Sequence, residues 1–155
     1  MHRSRTYAVI IDIPEAEVGA GSAFWSGVFG TPARPQPNEP EFRSLSGAIP
    51  GLVTAIQSVD ADARYHLDVE TDDVAAEVAR LVALGATEVA IWQECHVLRA
   101  PGGHLLCVIP VQSDPEVFRA EARSWPDQPP GPNSSDSSGV ADGAAPAAPP
   151  AGSGR

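Results

Sequence analysis

Four histidines, two cysteines and twenty carboxylates are the groups with which this chain of 155 residues could do chemistry. His66 and Asp12 are the first combination to consider. The stretch Tyr65-His66-Leu67-Asp68-Val69-Glu70 alternates, so His66, Asp68 and Glu70 share one strand face while Tyr65, Leu67 and Val69 share the other. Asp12 sits in the apolar run 7–13 with Ala8 and Ile10 on its face. If both faces turn to one interior, a carboxylate–imidazole pair forms, with shifted proton affinities and a capacity for acid–base work. The alternative is an aspartate that caps the turn at Pro14. Cys95 and Cys107 fall in expected strands and read as reduced, half-buried thiols. His96 follows Cys95 directly and points to the opposite strand face, so those two cannot chelate together. His2, His96 and His104 read as surface residues. Glu70, Asp72 and Asp73 read as solvated acids at a helix start. Trp25 belongs to a packed helix face, whereas Trp92 and Trp125 are placed where an indole can line a pocket mouth and stack on a flat ligand.

Several chemistries are excluded by composition. All ten basic residues are arginine, which removes Schiff-base chemistry, a P-loop lysine and a lysine general base. There is no Gly-x-Gly-x-x-Gly, no serine-centred elbow and no Cys-x-x-Cys. A net charge of −10 argues against nucleic acid or an anionic membrane as partner, because both need clustered positive charge. The apolar run after the basic residues 1–5 is interrupted by Asp12 and Pro14, too early for a signal peptide, and no stretch approaches a membrane span. The expectation is a cytoplasmic protein whose partner is a small molecule.

The elements that must position these groups follow from periodicity. Residues 7–13 form a strand ended by Pro14. A helical period follows through Val18, Ser22, Trp25 and Phe29 and stops at Gly30, with Gly19 and Gly21 weakening its first half by about 1 kcal/mol each. Residues 31–40, with prolines at 32, 35, 37 and 40, make a loop with room for a short edge strand. Strands are expected at 41–46, 52–59 and 65–70. Thr71, Asp72 and Asp73 then cap a helix whose apolar stripe is Val74, Val78, Leu81 and Leu84, closed by Gly85. Strands at 87–92, 95–99 and 104–111 complete the pattern, with Ala100-Pro101-Gly102-Gly103 as a hairpin turn and a short helix at 115–123. The order is β-α-β-β-β twice, over about 6–59 and 64–111. Residues 127–155, rich in Pro, Gly, Ala and Ser, cannot bury enough apolar surface to offset the entropy of ordering and read as a disordered tail. A Pro-rich docking segment is the other reading, without an aromatic or basic anchor beside its proline pairs.

Three stretches carry a resemblance: Ala23-Phe24-Trp25-Ser26-Gly27-Val28-Phe29-Gly30, His66-Leu67-Asp68-Val69-Glu70-Thr71-Asp72-Asp73 running into Leu81-Val82-Ala83-Leu84-Gly85-Ala86, and Arg99-Ala100-Pro101-Gly102-Gly103-His104-Leu105-Leu106-Cys107-Val108. With the paired units, they resemble the vicinal oxygen chelate superfamily of glyoxalases, extradiol dioxygenases, fosfomycin-resistance transferases and bleomycin-sequestering proteins. The likeness is strongest to the glyoxalase-like branch common in actinobacteria. It implies an α+β fold in which eight strands curl into a cup with helices outside, over residues 6–113, followed by a short helix in 114–126. It also implies a divalent metal held by His and Glu side chains on four strands. Such a metal binds two adjacent substrate oxygens and stabilises an enolate-like state.

Residue by residue, little of that ligand set is present. Ala8 or Ile10 stands where the first His is expected, Gln57 is nearest to the carboxylate of the fourth strand, and Cys107 replaces the last-strand Glu. His66 alone matches, which leaves it as the single candidate metal ligand. The expectation is a cup that binds a small organic molecule among Gln57, His66, Trp92 and Cys107 without the usual metal or another cofactor, any chemistry resting on His66 with Asp12. The alternatives are a metal-dependent lyase, isomerase or dioxygenase, and a sequestering resistance protein whose acidic pocket captures a cationic drug. Many relatives dimerise, so a homodimer is the assembly the resemblance implies.

Overall fold

Proline at position 14 ends the first strand as expected, but that strand begins much earlier than the apolar run. β1 spans His2–Pro14. In the computed structural model, which describes residues 1–126, a single 3-10 turn leads from it into α1 (Val18–Phe29). β2 (Arg34–Gln36), β3 (Glu39–Ser44) and β4 (Val53–Val59) close the first unit. The second unit runs β5 (Arg64–Thr71), α2 (Val74–Ala83), β6 (Thr87–Trp92), β7 (Cys95–Arg99) and β8 (Leu105–Pro110). α3 (Pro115–Glu121) and β9 (Arg123–Trp125) follow. The tail expected at 127–155 lies outside the described residues. Among the described residues, no helix is long and apolar enough to cross a membrane.

The two units pair their first and last strands in the same way. β1 and β4 are parallel, as are β5 and β8, and the units join through antiparallel β1–β5, giving the order β2-β3-β4-β1-β5-β8-β7-β6. β9 was not foreseen; it pairs with the start of β1, placing His2 opposite Trp125.

The two faces of β1 separate the interior into two layers. Ile11 and Ile13 join Leu45 and Ile56 in a cluster against which Val18, Trp25 and Phe29 of α1 pack. Leu45 and Ile56 are fully buried, each stabilising the fold by about 1.5–3 kcal/mol. The other face carries Ala8 and Ile10, clustered with Ala55, Tyr7 and Phe42. The glycine that seemed a weakness in α1 has a packing reason: a Cβ at Gly21 would stand 2.5 Å from Cδ1 of Ile13, so its absence lets the helix lie close on β1. Gly30 ends α1 in the left-handed conformation at φ 66°.

Two buried carboxylates fasten the frame. Glu77 of α2, fully buried, accepts hydrogen bonds from His2 Nε2 at 2.7 Å, Ser4 Oγ at 2.9 Å and Arg80 Nε and Nη2 at 2.7 Å each. Glu70 accepts from the backbone N–H groups of Gln112 and Ser113 and from Ser113 Oγ, with Arg5 Nε 3.3 Å away. Two expectations are thereby corrected. Glu70 is buried rather than solvated, and His2 is 4% exposed, because the extra length of β1 carries it under α2 and β9. Asp73 does cap α2, accepting from the Ala76 N–H. Trp125 lines a cavity of about 560 Å³ beside α2, its ring under the Arg80 guanidinium and its N–H donating to Ser4.

Candidate functional site

The cup side of the sheet encloses a cavity of about 430 Å³. Its floor is apolar, with Ala8 and Ile10 from β1, Ala55 and Val53 from β4, and Phe42 from β3. This is the face that alternation along residues 8–12 assigns to the interior. Trp92 ends β6 at the rim and is 57% exposed. The polar lining is one-sided in charge: Glu39, Asp68 and Glu94 contribute carboxylates, Gln36, Gln93 and Gln112 amides, and no Arg, Lys or His is among the lining residues. Gln93 opens the two-residue turn between β6 and β7 at φ 54°, a left-handed conformation that glycine adopts without strain and other residues at a cost of about 1–3 kcal/mol. The turn thus trades stability for an amide side chain at the cavity.

A row of buried polar groups runs along the wall. Cross-strand register places Ile10 beside His66, Asp12 beside Arg64, and Ala8 beside Asp68. Asp12, 1% exposed, accepts at Oδ2 from Arg64 Nε at 2.8 Å and from His66 Nδ1 at 3.1 Å. The other ring nitrogen, Nε2, lies 3.5 Å from Asp68 Oδ1. Asp68 is in register with Cys107 across the parallel β5–β8 pair, and Cys107 with Val97 across the hairpin, which brings Cys95 to the same wall. Cys107 is within hydrogen-bonding reach of both Asp68 and Cys95.

Proton affinities in this wall follow from burial and crowding. Burial raises the Asp68 carboxyl above its ordinary range, with His66 pulling the other way. The neighbouring Cys95 and then burial push the Cys107 thiol up, while the hydrogen bond from Cys107 lowers Cys95. Tyr7 is raised by burial and by the Glu70 and Asp68 charges. Burial and crowding thus favour the neutral forms of the Asp68 carboxyl and the Cys107 thiol.

Of the residues expected from sequence, Trp92 lines the cavity directly. Asp12 and His66 meet as a pair, which removes the turn-capping alternative for Asp12. His66 and Cys107 flank Asp68 in the wall. Gln57 lies beside Asp12 in register and is not among the lining residues. Asp68, Cys95, Glu39 and Glu94 were not singled out beforehand. Alternation puts Asp68 on the same strand face as His66, whereas the place of Cys95 needs the β7–β8 register. His96 turns outward and pairs with Glu88 at 2.6 Å.

The four-strand metal set implied by the resemblance does not fit these residues. At the level of His66 and Asp68, β1 and β4 present only Ala8, Ile10, Val53 and Ala55. Asp12, one step along, is engaged at Oδ2 by Arg64 and His66, and Gln57 beside it offers an amide. A hard cation at the level of His66 and Asp68 would find no side-chain ligand on β1 or β4.

A family model described as a glyoxalase-like domain matches residues 8–109. No curated protein matches the sequence. Among solved structures, an NAD-dependent benzaldehyde dehydrogenase from Legionella pneumophila aligns with a TM-score of 0.51 and 12% identity, over 68% of this chain and 98% of that one. A hypothetical protein from Bacillus halodurans C-125 aligns at 0.50 with 9% identity, over 72% and 96%. A glyoxalase/bleomycin resistance protein/dioxygenase superfamily member from Vibrio splendidus 12B01 aligns at 0.49 with 12% identity, over 70% and 99%. At these identities the first two alignments speak for the fold alone.

Proposed function

The chain belongs to the glyoxalase-like domain family, and from that premise we propose that its cup binds a small organic molecule with an apolar or aromatic body and a positively charged or hydrogen-bond-donating group. The observation that carries this reading is the lining: three carboxylates and three amides above an apolar floor, with no cationic side chain among them. A cavity near 430 Å³ falls in the range of small-molecule sites. Carboxylates around a partly enclosed cavity attract a cation more strongly than they would in open water. Trp92 at the rim supplies a face on which a flat group or a cation can stack. Binding in this reading does not use the superfamily's usual metal. Capture without turnover, as in a sequestering protein, needs nothing more than this lining. A cytoplasmic setting agrees with Cys95 and Cys107 being free thiols.

A second reading rests on the row Asp12–His66–Asp68. His66 stands between two carboxylates, at 3.1 Å and 3.5 Å, and Asp68 lines the cavity. A proton taken from a ligand by Asp68 could pass to His66 and be balanced by Asp12, as in general acid–base catalysis. Thermal-shift and calorimetric titration with protonated aromatic amines and the matching aromatic carboxylates tests binding. Exchange of ligand C–H protons in deuterated water tests turnover. Stabilisation by amines but not by carboxylates supports the reading; preference for the carboxylates refutes it.

A further inference from the structure

The cup is acidic, but positive charge gathers where β5 begins, beside the turn between β7 and β8. There a cavity of about 410 Å³ is lined by Arg64, Tyr65, Arg99, His104, Leu105 and the turn glycines Gly102 and Gly103. No carboxylate is among these lining residues, in a chain whose net charge is −10. Both guanidinium groups are held in place, each through a single nitrogen. Arg64 donates from Nε to the buried Asp12 at 2.8 Å, which leaves both of its Nη groups for another acceptor. Arg99 donates from Nη1 to the Gly103 carbonyl at 3.1 Å, which leaves Nε and Nη2. The turn that carries this carbonyl is itself closed by hydrogen bonds. Ala100 N–H donates to the His104 carbonyl at 2.8 Å, and Gly103 N–H to the Ala100 carbonyl at 2.9 Å. The His104 ring and the Tyr65 hydroxyl make no hydrogen bond among the described residues.

We propose that this cavity binds the phosphoryl group of a phosphate monoester. Charge sets the sign of the ligand: two guanidiniums and an imidazole around a recess without an acid attract an anion. Geometry sets its shape. A carboxylate is planar, and one guanidinium fork satisfies both of its oxygens. A phosphoryl group is tetrahedral and turns its oxygens in several directions, so it can accept from two forks at once. Arg64 opens β5 and Arg99 ends β7, so their free donors come from two different elements. The His104 ring, which carries at least one N–H in any protonation state, supplies a further donor. Because Asp12 and Gly103 already hold the two arginines, little side-chain freedom is lost on binding. The rest of the lining suits an organic body. Tyr65 packs edge-on against Trp25, with centroids 6.1 Å apart, yet is 58% exposed, and Leu105 adds an apolar side chain. A flat group attached to the phosphate can stack on that ring. The phosphate is bound and not transferred, so no bond is made or broken. This cavity and the cup share no lining residue, and the proposal stands independently of the organic-cation reading.

The test titrates the full chain at neutral pH with phenyl phosphate, inorganic phosphate and benzoate, followed by calorimetry and by backbone amide shifts in NMR. Phenyl phosphate, largely a dianion at that pH, should bind one-to-one and shift the amides of Gly102, Gly103 and His104. Inorganic phosphate should shift the same amides but bind more weakly, because it leaves Tyr65 and Leu105 uncovered. Benzoate should leave them in place. Arg99 is exposed and does not line the cup, so Arg99→Gln should keep the wild-type Tm. It should weaken phenyl phosphate about tenfold, as loss of one charge-assisted contact does. Absence of saturable phenyl phosphate binding at millimolar concentration would overturn the proposal. So would an unchanged affinity in Arg99→Gln, or benzoate shifting the turn amides as strongly as phenyl phosphate. Inorganic phosphate bound as tightly as the ester would mean an adventitious ion only. The wild-type titrations need no variant to fold, and none of these outcomes depends on what the cup binds.

Discussion

Replacing Glu77 with glutamine removes one charge from a buried site without opening a cavity, and its effect can be worked out contact by contact. Glu77 is fully buried and accepts four hydrogen bonds, from His2, from Ser4 and two from Arg80. Arg80 is 16% exposed and can turn partly to water, so its loss is partly recovered. His2 and Ser4, each 4% exposed, cannot. A glutamine offers one acceptor oxygen, and its amide N–H₂ must face one of the donors. Leaving one buried donor unsatisfied costs about 1–3 kcal/mol, and breaking a buried ion pair from one side costs about 3–5 kcal/mol. The expected loss is about 3 kcal/mol, or on the order of 10 °C in Tm for a chain of this size. Denaturant unfolding followed by circular dichroism at neutral pH measures it.

Acid supplies a second check on the same residue. Burial alone would raise the Glu77 carboxyl, but the hydrogen bonds from Arg80, His2 and Ser4 outweigh it and hold the group below its ordinary 4.5. A lowered folded-state value means the stabilisation is complete above pH 4.5 and is lost as the pH falls through the lower folded value. The stability gap between wild type and Glu77→Gln should therefore narrow on acidification below 4.5. A neutral-pH loss under about 1 kcal/mol, or a gap that widens in acid, would refute the reasoning.

Other perturbations separate the cup from its frame. Gln93→Gly should relieve the strained turn and raise stability by about 1 kcal/mol while weakening amine binding, because the amide leaves the cavity; unfolding and calorimetry on the same variant check both signs. Trp92→Ala should leave Tm within a few degrees, since the ring is 57% exposed, and weaken aromatic ligands about tenfold by loss of stacking. Unchanged affinity would place the ligand away from the rim.

Most elements could be read from sequence because local signals agreed with tertiary packing. The bounds of β6 and β7 emerge as the alternation predicts, and α2 has its cap at Asp73 and a stop before Gly85. Where the reading failed, long-range pairing decided. Nothing local in His2-Arg3-Ser4-Arg5 says strand; these residues are ordered because β5 and β9 flank them and Glu77 accepts from two of their side chains. Glu70 looked like a solvated acid because its partners, Gln112 and Ser113, lie more than forty positions away. The site divides in the same way. Alternation gives the shared face of His66 and Asp68, whereas the approach of Asp12 and the place of Cys95 depend on strand order and register, which periodicity does not encode.

The central claim is that an acidic, amide-lined cup selects a ligand by its positive or donating group. Calorimetric titration of the full chain with benzylamine and, separately, with benzoate at neutral pH tests it most directly, because the two differ mainly in the sign of the charged group. The account predicts saturable one-to-one binding of benzylamine that weakens in Glu39→Gln and Glu94→Gln, with no binding of benzoate. Binding of benzoate equal to or tighter than benzylamine would contradict it.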